Sequence, residues 1–203
     1  MGDPRSERGG ALLELAVCIP IFVVLMALIF DIGLGFSAAR DSSSAARSGA
    51  RVAALAGNER LADYRAIDAV RAEYAASDDD VVWMTVYRSS PGGTGLVPTA
   101  CQPGGSGAAG VCNVYDSTAI TTLTDAQFAS DGCSGEPDAN WCPTDRRDDE
   151  GDYLGVAVWT IHNPTVGLLV PRSSGEGPAQ LGDGGVELED RAVFALYFPD
   201  DDS

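Results

Sequence analysis

The 203-residue chain has no lysine, a single histidine, and no second long apolar run beyond residue 36. Each absence excludes something. One histidine leaves too little imidazole for a Ser/His/Asp site, and His162, directly ahead of Asn163-Pro164, reads as a strand-end residue rather than a base. There is no Gly-x-Ser-x-Gly elbow, no Gly-x4-Gly-Lys phosphate loop and no metalloprotease helix, so no enzyme and no cofactor are expected. Zinc lacks its short C-x2-C ligand spacing, and no metal site is expected. The acidic clusters Asp78 to Asp80, Asp148 to Asp152 and Asp200 to Asp202 lack the EF-hand order of ligands and glycine, and read as solvated turns. Positive charge is scarce as well: 13 arginines face 30 acidic residues, for a net charge of −17. All but one of those net charges lie beyond Ala76, so the outer part of the chain repels nucleic acid and suits cations or basic partners.

What is present is concentrated at the N-terminus. Residues Ala11 to Phe36 are almost continuously apolar, more than the roughly 20 residues that cross a bilayer core at about 1.5 Å each. Arg5 and Arg8 stand before the run, which places the short N-terminus in the cytoplasm and the bulk of the chain outside, against a weaker opposing bias from Arg40, Arg47 and Arg51. Glu14 lies inside the start of the run. A carboxylate within an apolar span costs about 2.5–3.5 kcal/mol near the helix centre, so it calls for a partner or an interface. Asp31 sits near the other interface. A secretory signal would have a shorter apolar region, with Ser37-Ala38-Ala39 as its cleavage site, and an uncleaved anchor would explain all but the Gly-Gly and Glu spacing.

The string Arg8-Gly9-Gly10-Ala11-Leu12-Leu13-Glu14-Leu15-Ala16, followed by Pro20 and the apolar run, resembles the N-terminus of TadE-like minor pilins of the tight-adherence pilus systems. In that family a short basic leader is cut after a glycine and a glutamate stands fifth in the mature chain. The resemblance implies cleavage between Gly9 and Gly10 by a prepilin peptidase, which makes Glu14 fifth. It also implies that Glu14 pairs with the new α-amine of a neighbouring subunit, each charge offsetting the cost of the other in an apolar bundle. Leu15 departs from the aromatic often found there. Segments around Arg47 to Ala54, Cys112 to Tyr115, Trp141 to Arg146 and Tyr153 to Val156 look like TadE-like proteins of actinobacterial type. The implied partners are other pilin or pseudopilin subunits, the inner-membrane assembly platform and the lipid bilayer. The implied role is assembly, priming or capping of a pilus; the alternative is a membrane-anchored binding module that does not polymerise.

The remaining chain reads as an α+β head. After the span, Ser37 to Ala56 has no breaker before Gly57-Asn58, so the helix continues as a stalk whose small residues permit close helix packing; its Arg40, Arg47 and Arg51 stripe reads as a solvated face, the alternative being a meeting with acidic groups on a neighbour or with anionic lipid. A second helix is expected from Glu59 to Ala76, with Tyr64, Ile67, Val70 and Tyr74 as a stripe buried against a small antiparallel sheet. Three strands are expected, at Val81 to Arg88, Tyr153 to His162 and Val186 to Phe198, the last with Asp190 as the exception on an otherwise apolar face. The expected division is a leader (1–9), a transmembrane helix (10–36), a helical stalk (37–57) and a head (58–203) with a loop-rich insertion (89–152). Cys18 reads as a small buried residue of the span. Cys101, Cys112, Cys133 and Cys142 suggest two disulfides; three connectivities are possible, the sequence-near pairs being simplest. A short helix is expected in Thr118 to Ala129, and Val166 to Pro171 is expected to fold back on the core.

Overall fold

A computed structural model describes residues 4–75, 79–89, 95–128, 133–146, 153–162 and 186–196, with backbone alone for 4–13, 186 and 187. The chain is α+β. Helix α1 (Pro4–Ala56) is followed by α2 (Ala62–Tyr74), strands β1 (Asp80–Ser89) and β2 (Cys112–Asp116), a short α3 (Ser117–Thr122), and strands β3 (Tyr153–His162) and β4 (Val186–Ala195). The four strands form one antiparallel sheet in the order β2-β1-β3-β4.

Helix α1 runs 53 residues without interruption, about 80 Å at 1.5 Å per residue. It stops at Gly57, whose φ of 54° lies in the left-handed region and whose N–H donates to the Ala53 carbonyl at 3.0 Å. A glycine just past the last turn takes up that conformation without a Cβ clash. The two halves of the helix differ. From Glu14 to Phe36 nearly every side chain is exposed, whereas Ala38, Ala45, Ala46, Ala50, Ala53 and Ala54 are buried. The segment expected as a stalk is therefore helical but packed, as the first core helix of the head.

Small side chains make that packing possible. A Cβ on Gly49 would lie 2.9 Å from Val70 Cγ2 and 3.4 Å from Val156 Cγ1, so α2 and β3 approach α1 to backbone distance there. The α2 stripe of Ile67, Val70 and Tyr74 is buried against α1 and the sheet, together with Met84, Val86, Leu154, Val156 and Val158. Helix α2 begins at Ala62 and not at Glu59, because Gly57 to Leu61 are spent on turns that bring it back along α1.

The insertion is less loop-like than its composition suggests. It contributes strand β2, which lacks a sequence signal because it is only five residues long and follows a glycine-rich stretch. Its first part covers the sheet face away from the helices, where Val97, Cys101 and Cys112 pack with Tyr87, Ala157 and Trp159. Its second part returns to the helix side, bringing Phe128 and Trp141 into the main core. Strand β3 is thus covered on both faces and reads as a continuous apolar run rather than an alternating one. The expected Thr118 to Ala129 helix is split into α3 and a 3-10 turn at Asp125–Phe128, with Asp116 as the N-cap accepting from the Ala119 N–H at 2.7 Å. Ala192 of β4 and Leu196 just beyond the strand pack on the main core while Phe194, on the same face, is 38% exposed. Asp148 to Asp152, the Val166 to Pro171 segment, Phe198 and Asp200 to Asp202 lie outside the described residues.

Candidate functional site

Gly9, Gly10 and Glu14 all fall within α1, so the expected processing bond and the glutamate share one helix. Glu14 is four residues beyond Gly10, one turn on, which puts the two positions on the same helix face. Its side chain is exposed at the start of the apolar stretch, beside exposed Leu15, Val17 and Cys18. Cys18, expected as a small buried residue of the span, is exposed among the described residues. Pro20 lies inside the helix without ending it. By length and composition the helix from Glu14 onward is able to cross a membrane, and its most apolar 18-residue window is 0% buried by the protein. A soluble core helix would be covered by its own domain; the described residues do not cover this one.

The head is held by covalent and polar fastenings. The disulfides are Cys101–Cys112 and Cys133–Cys142, with Cα separations of 6.1 and 5.7 Å. Each closes a loop of about ten residues and contributes roughly 2–3 kcal/mol by restricting the unfolded chain. Between them runs a buried polar network that sequence reasoning missed. Asp63, on the buried side of α2, accepts from Arg146 Nη2 at 2.6 Å, from Asn113 Nδ2 at 2.7 Å and from the Tyr115 hydroxyl at 2.8 Å. Asn113 also bonds both the N–H and the carbonyl of Trp141 at 2.8 Å, and the Arg146 guanidinium stacks 4.3 Å over the Trp141 ring. A second cluster joins Arg60 to Asp138 at 2.8 Å and to Glu136.

These charges are buried, which strengthens their action on one another. Burial, reinforced by the Asp63 carboxylate, pushes the Tyr115 hydroxyl well above its ordinary value of 10.0. Burial also raises Asp138 above 3.8, although its bond to Arg60 pulls the other way. The network tethers the insertion to α2, although Nε and Nη1 of Arg146 and Oδ1 of Asp138 are buried with no hydrogen-bond partner among the described residues. No group of three His, Cys, Asp or Glu side chains able to hold a metal occurs among the described residues. His162 stands at the end of β3 with Nδ1 2.8 Å from Asp79 Oδ1.

One signal for the network was in the sequence. Asp63 falls four residues before Ile67 and seven before Val70, in register with the apolar stripe, and a carboxylate in that register must find a buried partner. Arg146, distant in sequence, is that partner, and nothing local identifies it. The structure does not bring Glu14 and the head cysteines together; they belong to opposite ends of the molecule.

No curated protein and no solved structure matches the chain. Residues 9–51 match the family model described as TadE-like protein, a stretch that begins at Gly9, includes Glu14 and the whole exposed apolar span, and ends within the packed half of α1. The chain thus carries a TadE-like domain on a helix able to cross a membrane, a combination that fits a membrane protein associated with tight-adherence pili.

Proposed function

We propose that the chain is a minor pilin or pseudopilin of a tight-adherence pilus system, of actinobacterial type, that takes part in assembling, priming or capping the filament. Residues 1–9 are the leader, removed by a prepilin peptidase between Gly9 and Gly10. Residues 10–36 hold the protein in the cytoplasmic membrane with the N-terminus inside. The head, which includes residues 38–56 as its first core helix, lies outside. After cleavage Glu14 is fifth in the chain and pairs with the α-amine of a neighbouring subunit. That pair neutralises two charges in an apolar bundle and fixes the axial register between subunits. The assembly platform of the inner membrane then draws the helix into the growing structure.

The observation that carries this reading is the coincidence of three features over one stretch: the TadE-like match at 9–51, the Gly9-Gly10 and Glu14 spacing, and an apolar helix that the described residues of the head leave uncovered. The mature N-terminus of membrane-purified protein, read by intact mass and N-terminal peptide analysis, tests it. A chain beginning at Gly10 is expected. One beginning at Met1 or Gly2 would favour a permanent anchor, and one beginning near Ala38 would remove the filament reading. In cells lacking the protein, wild type is expected to restore piliation and Glu14→Ala is not.

A further inference from the structure

Six of the nine arginines whose side chains the structure describes are engaged. Arg60 pairs with Asp138 and Glu136, Arg65 with Glu59, Arg146 with Asp63 and Arg191 with Glu189, while Arg71 donates to the Ile120 and Leu123 carbonyls. Arg88 also has a partner. Arg40, Arg47 and Arg51 are different: all three are exposed, and none has an ion pair or hydrogen bond among the described residues. With the serines between them, and with Phe194 of β4 as an apolar wall, they line a groove of about 680 Å³. The chain around this basic groove carries a net charge of −17.

Lipid does not account for the whole groove. At about 1.5 Å per residue, Arg40 stands roughly 6 Å beyond Phe36, but Arg47 and Arg51 stand roughly 16 and 22 Å beyond it. The headgroup layer is only about 5–8 Å deep on each side of the hydrocarbon. Arg40 reaches it; the other two rise past it. Their occupant is therefore anionic and lies at the level of the head.

The fold supplies such a surface on its other flank. Helix α1 lies over β3 and β4, so the groove is at the β4 edge of the sheet, whereas α2 and α3 lie toward β1 and the β2 edge. Exposed Asp68 of α2, Asp116 at the start of α3 and Asp125 just beyond it stand on that second flank. The heights agree. Glu73 accepts from the Ser44 hydroxyl at 3.1 Å and Val70 meets Gly49, so α2 runs beside the same stretch of α1 that carries the arginines. We propose that the Arg40/Arg47/Arg51 groove of one copy receives the Asp68/Asp116/Asp125 flank of a second copy of this chain, edge to edge. Because the two surfaces differ, the contact is head-to-tail, and each copy leaves one groove and one acidic flank free for the next. Contacts of that kind build rings or open helical assemblies rather than closed pairs. The inference rests on the proposed placement of parallel copies in one membrane, which holds their heads at a common height.

Disulfide trapping in membranes tests it, with two differently tagged full-length copies in a Cys18→Ser background. Arg47→Cys in one copy and Asp68→Cys in the other are expected to give a dimer carrying both tags, with the bond located by peptide mapping. Two Arg47→Cys copies are expected to give none. Arg40→Glu with Arg51→Glu should lower the mixed yield about tenfold, the loss of a few surface ion pairs, and Asp116→Arg with Asp125→Arg in the other copy should restore it. Protease resistance of the head and both native disulfides confirm that each variant is folded. A dimer between two Arg47→Cys copies, a yield indifferent to the reversals, or a yield that only tracks the phosphatidylglycerol content of the vesicles each overturns the proposal. The same trapping in a Gly9→Leu chain separates the two readings. A mixed dimer there, with a wild-type chain that is never processed or piliated, keeps the contact and removes the pilin role. Processed chain in sheared pili without a mixed dimer does the reverse.

Discussion

The two halves of α1 obey opposite rules. Between Glu14 and Phe36 the large apolar side chains are exposed, Phe22, Ile29 and Phe30 at 63–66%, while in the second half Ala45, Ala46, Ala50 and Ala53 are at 0%. Hydrophobicity by itself predicts the reverse, since burying one large apolar side chain is worth about 1.5–3 kcal/mol and burying an alanine far less. Within the head, what decides burial is closeness of approach: small residues let α2 and β3 come up to the backbone of α1, and the sum of their contacts outweighs the size of any one. Among the described residues the first half has no such neighbour. Its apolar surface is matched to a different solvent, hydrocarbon, in which a helix satisfies its own backbone and needs no partner.

Reversing that contrast with a charge should produce the largest effects. Ala50→Glu places an unpaired carboxylate in the closed seam and is expected to cost about 3–5 kcal/mol, enough to prevent a protease-resistant head. Survival of the head with both disulfides intact would show that the seam is looser than the structure makes it. The same kind of change in the exposed half should act on insertion instead. Val24→Arg is expected to cost about 2.5–3.5 kcal/mol of membrane insertion, read as carbonate-extractable protein, while leaving the head's denaturation midpoint unchanged. A fall in head stability from Val24→Arg would mean that the halves are not independent.

The legible part of the molecule was the part governed by local chemistry. The apolar run, the stop at Gly57, the stripe on α2 and three of the four strands each leave a periodic or compositional mark, and the nearest cysteines in sequence are also the bonded ones. What escaped depends on contacts far apart in the chain. Asp63 and Arg146 are 83 residues apart, and β2 becomes a strand only because β1 is there to pair with it. The packed half of α1 misled for another reason. An Ala, Ser and Arg stretch permits close packing but does not say against what, and its buried face appears only once Val70 and Val156 are found against Gly49.

A smaller effect tests closeness of approach directly. Gly49→Val adds carbon where a Cβ already meets Val70 at 2.9 Å and Val156 at 3.4 Å, and overpacking of this kind is expected to cost about 1–3 kcal/mol in the head. Gly33→Val, in the exposed half, meets nothing within 4 Å and is expected to change head stability by less than about 0.5 kcal/mol. Equal effects from the two substitutions would collapse the distinction between the halves.

The smallest effect separates the apolar seam from the polar fastening behind α2. The Ala and Gly seam has nothing to titrate, but Asp138 is held above its ordinary value of 3.8 by burial. A carboxyl whose native value is raised binds its proton at a higher pH in the folded chain than in the unfolded one. Its contribution to stability is therefore complete below the unfolded value and is lost as pH rises through the native value. Asp138→Asn removes that dependence and leaves Arg60 its bond to Glu136. The difference between wild-type and variant denaturation midpoints, followed from about pH 7 down to about pH 4, should shift in favour of wild type as the pH falls. Ala53→Gly, a lesion in the seam, should instead lower the midpoint by the same amount at every pH. If the Asp138→Asn difference were flat, the raised native value would be wrong, and the head would be fastened by geometry alone on both sides of α2.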